Sequence, residues 1–338
     1  MIKARRGHLG ARNWLALDTS EHDDGVVTNE ERAADRIGWD QLPAPVRAVI
    51  EHRLGAPVRA VTVPPGGYSH GMAALLHLGD GRTVFAKAIN SDDALADRYR
   101  TEAHTVTQLP RTVPTPAIMF SAEIAGWIVA VFDAVAGRHP RLDRPGELAA
   151  VLEAVERLAA ALTPSPLPDT PTIVQDYGPV LTGWRGFAEN GPPADLDPWS
   201  RRHLDRLAEL ESTWSVGAVG ETLLHTDLRP DNMLLRDDGS VVVVDWAWPC
   251  RGAAWVDTAS LVPSMLAAGV DPDPILATHP VTAGTDPAAI DAFVCALAGY
   301  WAHNSRLPAP PRSPSLRQHQ ARKAHLTTTW MTRRLSWP

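Results

Sequence analysis

Apolar positions along the chain fall into blocks whose period changes. Residues 1 to about 38 are polar, with an acidic patch at Glu21–Asp24 and a charged run at Glu30–Asp35, and read as a loosely packed extension. Residues 42–52 predict a short helix with Val46, Ile50 and Leu54 as its apolar stripe. From Val58 the pattern turns strand-like: Val58–Val63, Met72–Leu78 and Thr83–Ile89, joined by the loop PPGGYSHG and a tight turn at Gly79–Gly81. Strand, Gly-rich loop, strand, tight turn and strand predict an antiparallel meander. Over Ala94–Leu109, Leu95, Tyr99, Glu102, Val106 and Leu109 recur at steps of four, three, four and three, helical spacing with one carboxylate in an apolar stripe. Trp127–Phe132 returns to a short apolar strand, so the first lobe reads as a small sheet with one helix.

The stretch after Gly137 differs in kind. Leu148, Val151, Leu152, Val155, Leu158, Ala159 and Leu162 make a clean amphipathic helix. Residues 163–198 are proline-rich with little periodicity and read as an irregular insertion or crossover. Arg201–Trp214 predicts a helix, and Leu234–Leu235 with Val241–Val244, around an Asp238-Gly239 turn, predicts a hairpin. Asp286 is placed to cap a helix whose first residue is Pro287 and whose inner face is Ile290, Phe293, Val294, Leu297 and Trp301. Ser315–Trp330 reads as a basic terminal helix.

Composition narrows the class. A chain of 338 residues suggests two domains or lobes, with a core that needs no metal or disulfide for folding. Thirty-two Lys and Arg against 39 Asp and Glu give a net charge of −7, which argues against a dedicated nucleic-acid binder. The thirteen histidines form no ligand cluster, and the two cysteines, Cys250 and Cys295, form no CxxC, which disfavours structural zinc and fits a reducing compartment. No secretory signal and no apolar run of about 20 residues is read, so the expectation is a cytoplasmic protein that does not enter a membrane.

The sharpest chemical signal is LLHTDLRPDNMLL followed by VVVVDW. His225, Asp227 and Asn232 form H-x-D-x-x-x-x-N, and Asp245 ends an apolar strand 13 residues beyond Asn232. An Asp on such a loop can accept the proton of an attacking hydroxyl, while Asn232 and Asp245 converge on a divalent cation and the phosphates beside it. Mg²⁺ suits this set, since it takes oxygen ligands and few of them from protein. Upstream, Lys87 shares its strand face with Phe85 and Ile89, and Glu102 lies fifteen residues later on an inward helical position. The two can neutralise each other and leave the ammonium able to reach α- and β-phosphates. Gly66, Gly67 and Gly71 flank Ser69 and His70 in a loop whose backbone N–H groups can cradle phosphate, with Ser69 the candidate for touching the β- or γ-phosphate.

This set resembles the aminoglycoside phosphotransferase and choline-kinase-like family, the small-molecule branch of the protein-kinase-like fold, over roughly residues 56–305. The resemblance implies an α+β, bilobal fold with a small antiparallel-sheet N-lobe and a mainly helical C-lobe. The expected divisions are an extension at 1–55, a nucleotide-binding N-lobe at 56–133, and a C-lobe at 134–338 with catalytic loop and acceptor pocket. It implies a paired Lys87 and Glu102, Asp227 as catalytic residue, Asn232 and Asp245 as metal ligands, and His225 and Asp257 as supports of the catalytic loop. WIVAVFDAVAG resembles the hinge between lobes, with Asp133 and Val135 contacting adenine through backbone atoms and Phe132 at the back of the pocket. The implied cofactors are ATP, or GTP, and Mg²⁺. The family's usual Gly-Asp-Pro before its later Asp is replaced here by GAAWVD from Gly252 to Asp257.

Only eleven residues separate Asp245 from Asp257, and no A-P-E follows, which leaves little chain for a peptide platform. The expected acceptor is therefore a small hydroxylated molecule, an aminoglycoside-like or other antibiotic or a metabolite. A protein kinase and a catalytically silent nucleotide-binding module are the alternatives. For a polyamine, Asp176, Glu189, Asp195, Asp271, Asp273, Asp286 and Asp291 are candidate acceptor-side acids. Trp184, Trp248, Trp255 and Trp301 are candidates for lining a flatter or more apolar pocket, or one for a quaternary ammonium. The sequence leaves monomer or homodimer open.

Overall fold

A computed structural model describes residues 36–64, 69–310 and 313–338. The predicted acidic runs before residue 36 and the Gly66-Gly67 pair lie outside the described residues.

The N-lobe is an antiparallel five-stranded sheet of β1 (Val58–Thr62), β2 (Met72–Leu78), β3 (Thr83–Asn90), β4 (Ile118–Ile124) and β5 (Trp127–Asp133), in the order β1-β2-β3-β5-β4. The meander forms as its alternation and turn chemistry require. The strand at Ile118–Ile124 escapes the pattern reading because it is a half-exposed edge strand, with no fully buried residue to mark a core face. One sheet face carries Val84, Ala86, Ala88, Val129 and Val131 and is covered by α1 (Ala44–Leu54), whose Val46, Ile50 and Leu54 are all buried there. The first helix is thus part of the N-lobe core. The other face bears Phe85, Lys87 and Ile89 beside α2 (Ala96–Gln108), as strand parity requires. Lys87 stands opposite Ala73 on one side and Ala130 on the other, so small neighbours leave space over its stem.

After β5 the chain enters a mainly helical C-lobe through α3 (Pro145–Ala161), which buries Val151, Ala154, Val155 and Leu158. The stretch read as irregular contains three short helices: α4 (Ile173–Tyr177), α5 (Gly183–Asn190) and α6 (Pro198–Arg202), running into α7 (Leu204–Gly217). Prolines fall between these helices or, at Pro198, start one, and each helix is too short to show a period. Glu211 of α7 is buried and accepts from the Trp184 and Arg185 N–H groups (3.0 and 2.9 Å), capping α5 from another helix.

Two small ladders then hold the chemical motifs. β6 (Thr222–Leu224) pairs antiparallel with β9 (Cys250–Gly252), and β7 (Met233–Leu235) pairs antiparallel with β8 (Val241–Val243). Beyond them come α8 (Trp255–Ser260), α9 (Val262–Ala267), α10 (Pro272–Thr278), α11 (Pro287–Asn304) and α12 (Leu316–Leu335). Asp286 caps α11 through the Ala288 N–H, and Ile290, Phe293, Val294, Leu297 and Trp301 are buried, as the spacing predicted. The terminal basic helix is anchored, with Trp330 and Met331 buried in the same core. No helix among the described residues is long and apolar enough to cross a membrane.

Candidate active site

Two carboxylates from separate parts of the chain meet at Lys87. Its ammonium donates to both Glu102 oxygens and to Asp245 Oδ1, each at 2.8 Å. β3 supplies the lysine, α2 the glutamate, and the residue just past β8 the aspartate. Burial disfavours the charged ammonium, but the two carboxylates outweigh it and raise the Lys87 pKa. Burial pushes the Glu102 carboxyl up, against the pull of Lys87. For Asp245 burial also pushes upward, yet Lys87 wins and the carboxyl sits below its ordinary value. Asp245 remains 36% exposed at its side chain, so its second oxygen is reachable from the cleft.

The loop between β6 and β7 carries the other polar groups. Asn232 Nδ2 donates to the Asp227 carbonyl (2.9 Å) and to Asp227 Oδ2 (3.0 Å), which leaves its own Oδ1 facing elsewhere. The Asn232 carbonyl accepts from the Val244 N–H at 2.9 Å, which sets Asn232 beside the segment that presents Asp245. Arg229, buried, lies 3.3 Å from Asp227 Oδ1 and 2.9 Å from Asp231 Oδ2. Desolvation pushes the Asp227 carboxyl up, with Arg229 opposing.

His225 and Asp257 hold this loop in shape. The Asp257 oxygens accept from the N–H groups of His225 and Thr226, both at 2.8 Å. The Asp227 N–H points at His225 Nδ1 (3.2 Å), so Nδ1 is the acceptor and the ring proton sits on Nε2, which donates to the Val244 carbonyl at 2.9 Å. Burial drops the His225 pKa to about 4, and the ring is neutral. Thr226 and Asp245 adopt left-handed backbone, φ 65° and 70°, which is costly for residues with a Cβ and is held against relaxation by its partners. Thr226 is restrained by Asp257 and by its hydroxyl, which donates to the Trp248 carbonyl at 2.7 Å.

Ser69 sits at the end of the Gly-rich loop with its hydroxyl 2.5 Å from Tyr99 OH, and His70 Nε2 lies 2.6 Å from Asp93 Oδ2. A Cβ on Gly71 would collide with the Tyr99 hydroxyl and the Ala88 carbonyl, so glycine is required for this approach. Tyr99, which period alone marked as apolar stripe, therefore joins loop, α2 and the Lys87 cluster; burial raises its phenol to about 12. At the hinge, the Asp133 N–H is spent on the Ala117 carbonyl (2.9 Å), while no described backbone carbonyl takes the Val135 N–H. Phe132 is buried among Ala103, Val106 and Val243.

Beside Asp227 lies a small cavity of about 20 Å³, lined by Thr226, Asp227, Leu228, Arg229, Ser260, Leu297, Trp301 and Lys323. A wider depression is lined by Gly137, Arg138, Leu235, Arg236, Asp237 and Gly239, none of them a residue of the Lys87 cluster or of the Asp227 loop. Arg229 and Lys323 were not singled out from sequence. Arg229 stands inside the H-x-D-x-x-x-x-N motif, which could have flagged it, but nothing in the sequence of α12 distinguishes Lys323 from its basic neighbours.

Residues 60–293 match a family described as a phosphotransferase enzyme family. The chain is similar to the solved structure of an aminoglycoside phosphotransferase from Alicyclobacillus acidocaldarius, at 14% identity and TM-score 0.57, covering 82% of this chain and 92% of that one. It is similar to a thermostable mutant of an aminoglycoside phosphotransferase in ternary complex with ADP and hygromycin B (16%, TM-score 0.56, 86% and 97%). It is likewise similar to a choline kinase from Streptococcus pneumoniae (11%, TM-score 0.56, 85% and 99%). At these identities the likeness establishes the bilobal kinase-like fold. A sequence search of curated proteins returned no significant match.

Proposed function

The chain belongs to the phosphotransferase enzyme family, the small-molecule branch of the protein-kinase-like fold, and on that premise we propose that it transfers the γ-phosphoryl group of ATP, or of GTP, to a hydroxyl of a small antibiotic-like or metabolite acceptor. The observation that carries this reading is the Lys87 ammonium bonded at once to Glu102 and Asp245, a site in which two lobes contribute opposite charges to one cleft.

In this reading Lys87, held by Glu102, grips phosphate oxygens, and the Gly71 end of the loop with Ser69 borders the phosphate tail. The Asp133 carbonyl and Val135 N–H face the base. Asp227 orients the acceptor hydroxyl and takes its proton as the oxygen attacks phosphorus, while the β–γ bridging oxygen leaves with ADP. The donor set suits Mg²⁺: Asn232 Oδ1 and the second Asp245 oxygen are hard donors, and among the described residues no group of three or more His, Cys, Asp or Glu gathers to hold a metal by protein alone. Bound there, the ion would neutralise triphosphate charge. Catalysis then rests on positioning and charge complementarity, with no covalent enzyme intermediate.

The test is Asp227→Asn, followed by ADP release against a panel of hydroxylated acceptors and by ADP titration. Expected is a loss of turnover of about 10² to 10⁴-fold with nucleotide affinity retained; turnover within a few-fold of the parent would remove Asp227 from its role. A protein acceptor is the less favoured reading, because β9 and the start of α8 occupy the chain between Asp245 and Asp257. Radiolabel transfer to mixed peptides would revive it.

A further inference from the structure

On the acceptor side the candidate acids are engaged: Asp271 and Asp286 cap α10 and α11, Asp195 pairs with Arg306, and both Asp273 and Asp291 pair with Arg334. The nucleotide side holds a cation placed differently. Arg36 belongs to the stretch that reads from sequence as a loosely packed extension. The residues after it are nevertheless fixed, since Trp39 and Leu42 are buried in the N-lobe core and Ile37 packs against it.

That anchorage lays residues 36 and 37 across both ends of the Gly-rich loop. Arg36 Nη1 donates to the Pro64 carbonyl at 3.1 Å, just past β1. The Ile37 N–H donates to the His70 carbonyl at 3.2 Å, just before β2. Arg36 Nε is buried and has no hydrogen-bond partner among the described residues. A guanidinium keeps its charge and presents five N–H groups, so a buried one left unmet is costly until a ligand completes it. Burial pulls the Arg36 pKa below its ordinary value, while Tyr99 and Asp245 act in the opposite direction, so the guanidinium is in electrostatic reach of the Lys87 cluster. Ser69, bonded to the Tyr99 hydroxyl, stands at the same end of the loop.

Charge balance gives this cation a task. Lys87, Glu102 and Asp245, when ionised, carry one positive and two negative charges, and the ammonium is already bonded to both carboxylates. A polyphosphate entering there gains from a further cation, and a guanidinium fork matches two phosphate oxygens at once. Resting on the phosphotransferase reading above, we propose that Arg36 is a phosphate-binding residue of the nucleotide site. The Nε side of its fork takes oxygens of the terminal phosphates while its bond to Pro64 holds the loop.

The test is calorimetric titration of the full chain, parent and Arg36→Gln, with adenosine, Mg-ADP and Mg-β,γ-imido-ATP, and with the guanine series in parallel. Gln keeps an N–H for the Pro64 carbonyl and removes the charge. Expected is that Arg36→Gln weakens at least one Mg-nucleotide about tenfold or more and leaves the nucleoside within about twofold. The diphosphate and triphosphate arms show whether the β- or the γ-phosphate is the partner. Should Arg36→Gln fail to fold, the parent alone decides: phenylglyoxal labelling of Arg36, read by peptide mass spectrometry, should slow several-fold under saturating Mg-nucleotide and not under nucleoside. Equal losses for nucleoside and nucleotides would leave Arg36 a loop tether alone and overturn the proposal. So would a folded Arg36→Gln with full nucleotide affinity, or labelling equally fast with and without nucleotide. Failure of the parent to bind any of the Mg-nucleotides would count against the phosphotransferase reading instead.

Discussion

Lys87 spends all three ammonium hydrogens on carboxylate oxygens, two on Glu102 and one on Asp245. Removing it strands the buried Glu102, so Lys87→Met should destabilise the fold by about 3–5 kcal/mol, measured by urea unfolding. Adding Glu102→Leu removes the stranded charge and should recover most of that loss without restoring turnover, which separates the structural share of the pair from its share in function. His225 offers a second test at this scale. Its folded pKa, about 4, lies below the ordinary 6.5, so the unfolded chain takes the proton more readily. The stability it contributes is whole above pH 6.5 and is lost as pH falls through 6.5 toward 4. Between pH 7 and 4, His225→Asn should lose less stability than the parent, by on the order of 3 kcal/mol. Buried Asp227, Asp257 and Glu102 titrate with the opposite sign, so the comparison is between variant and parent and not along one curve. Equal pH slopes in the two proteins would show that His225 is not the buried neutral group described.

At the scale of elements, helices pack closely where glycines meet. A Cβ on Gly183 in α5 would collide with the Gly299 backbone in α11, and one on Gly299 would meet Trp184 and Glu211. Gly183→Ala should therefore cost about 1–3 kcal/mol through overpacking, visible as a lower unfolding midpoint with an unchanged denaturant slope, whereas Gly186→Ala in the same helix meets nothing within 4 Å and should be near neutral or stabilising. Long periodic elements were legible in the sequence: the β1–β3 meander, α2, α3 and α11 carry enough apolar repeats to declare themselves. The segment holding α4 to α6 did not, since helices of five to eight residues hold barely one turn of pattern. Nor did β6 and β9, whose three-residue pairing exists only because distant segments fold together.

For the whole molecule, the lobes are joined by more than the hinge. Ala103, Val106, Ala130 and Phe132 of the N-lobe share one apolar cluster with Leu142, Val151, Leu158, Val243 and Trp246 of the C-lobe. Above it, the Lys87–Asp245 bond and the Arg98 guanidinium, 3.7 Å from the centre of the Trp248 ring, also cross between lobes. Unfolding should therefore be one transition, with far-UV circular dichroism and tryptophan fluorescence coincident; two separated midpoints would show that the lobes melt independently. The sequence by itself determined the candidate set: the spacing of His225, Asp227, Asn232 and Asp245, with Lys87 and Glu102 upstream, is local order that side-chain type and strand parity make readable. Only the tertiary structure decided who meets whom. Tyr99 at the loop, Arg229 over Asp227, and Lys323 turned inward from the last helix are placed by packing across long loops, and a charge's partner depends on that three-dimensional neighbourhood, which residue order does not encode.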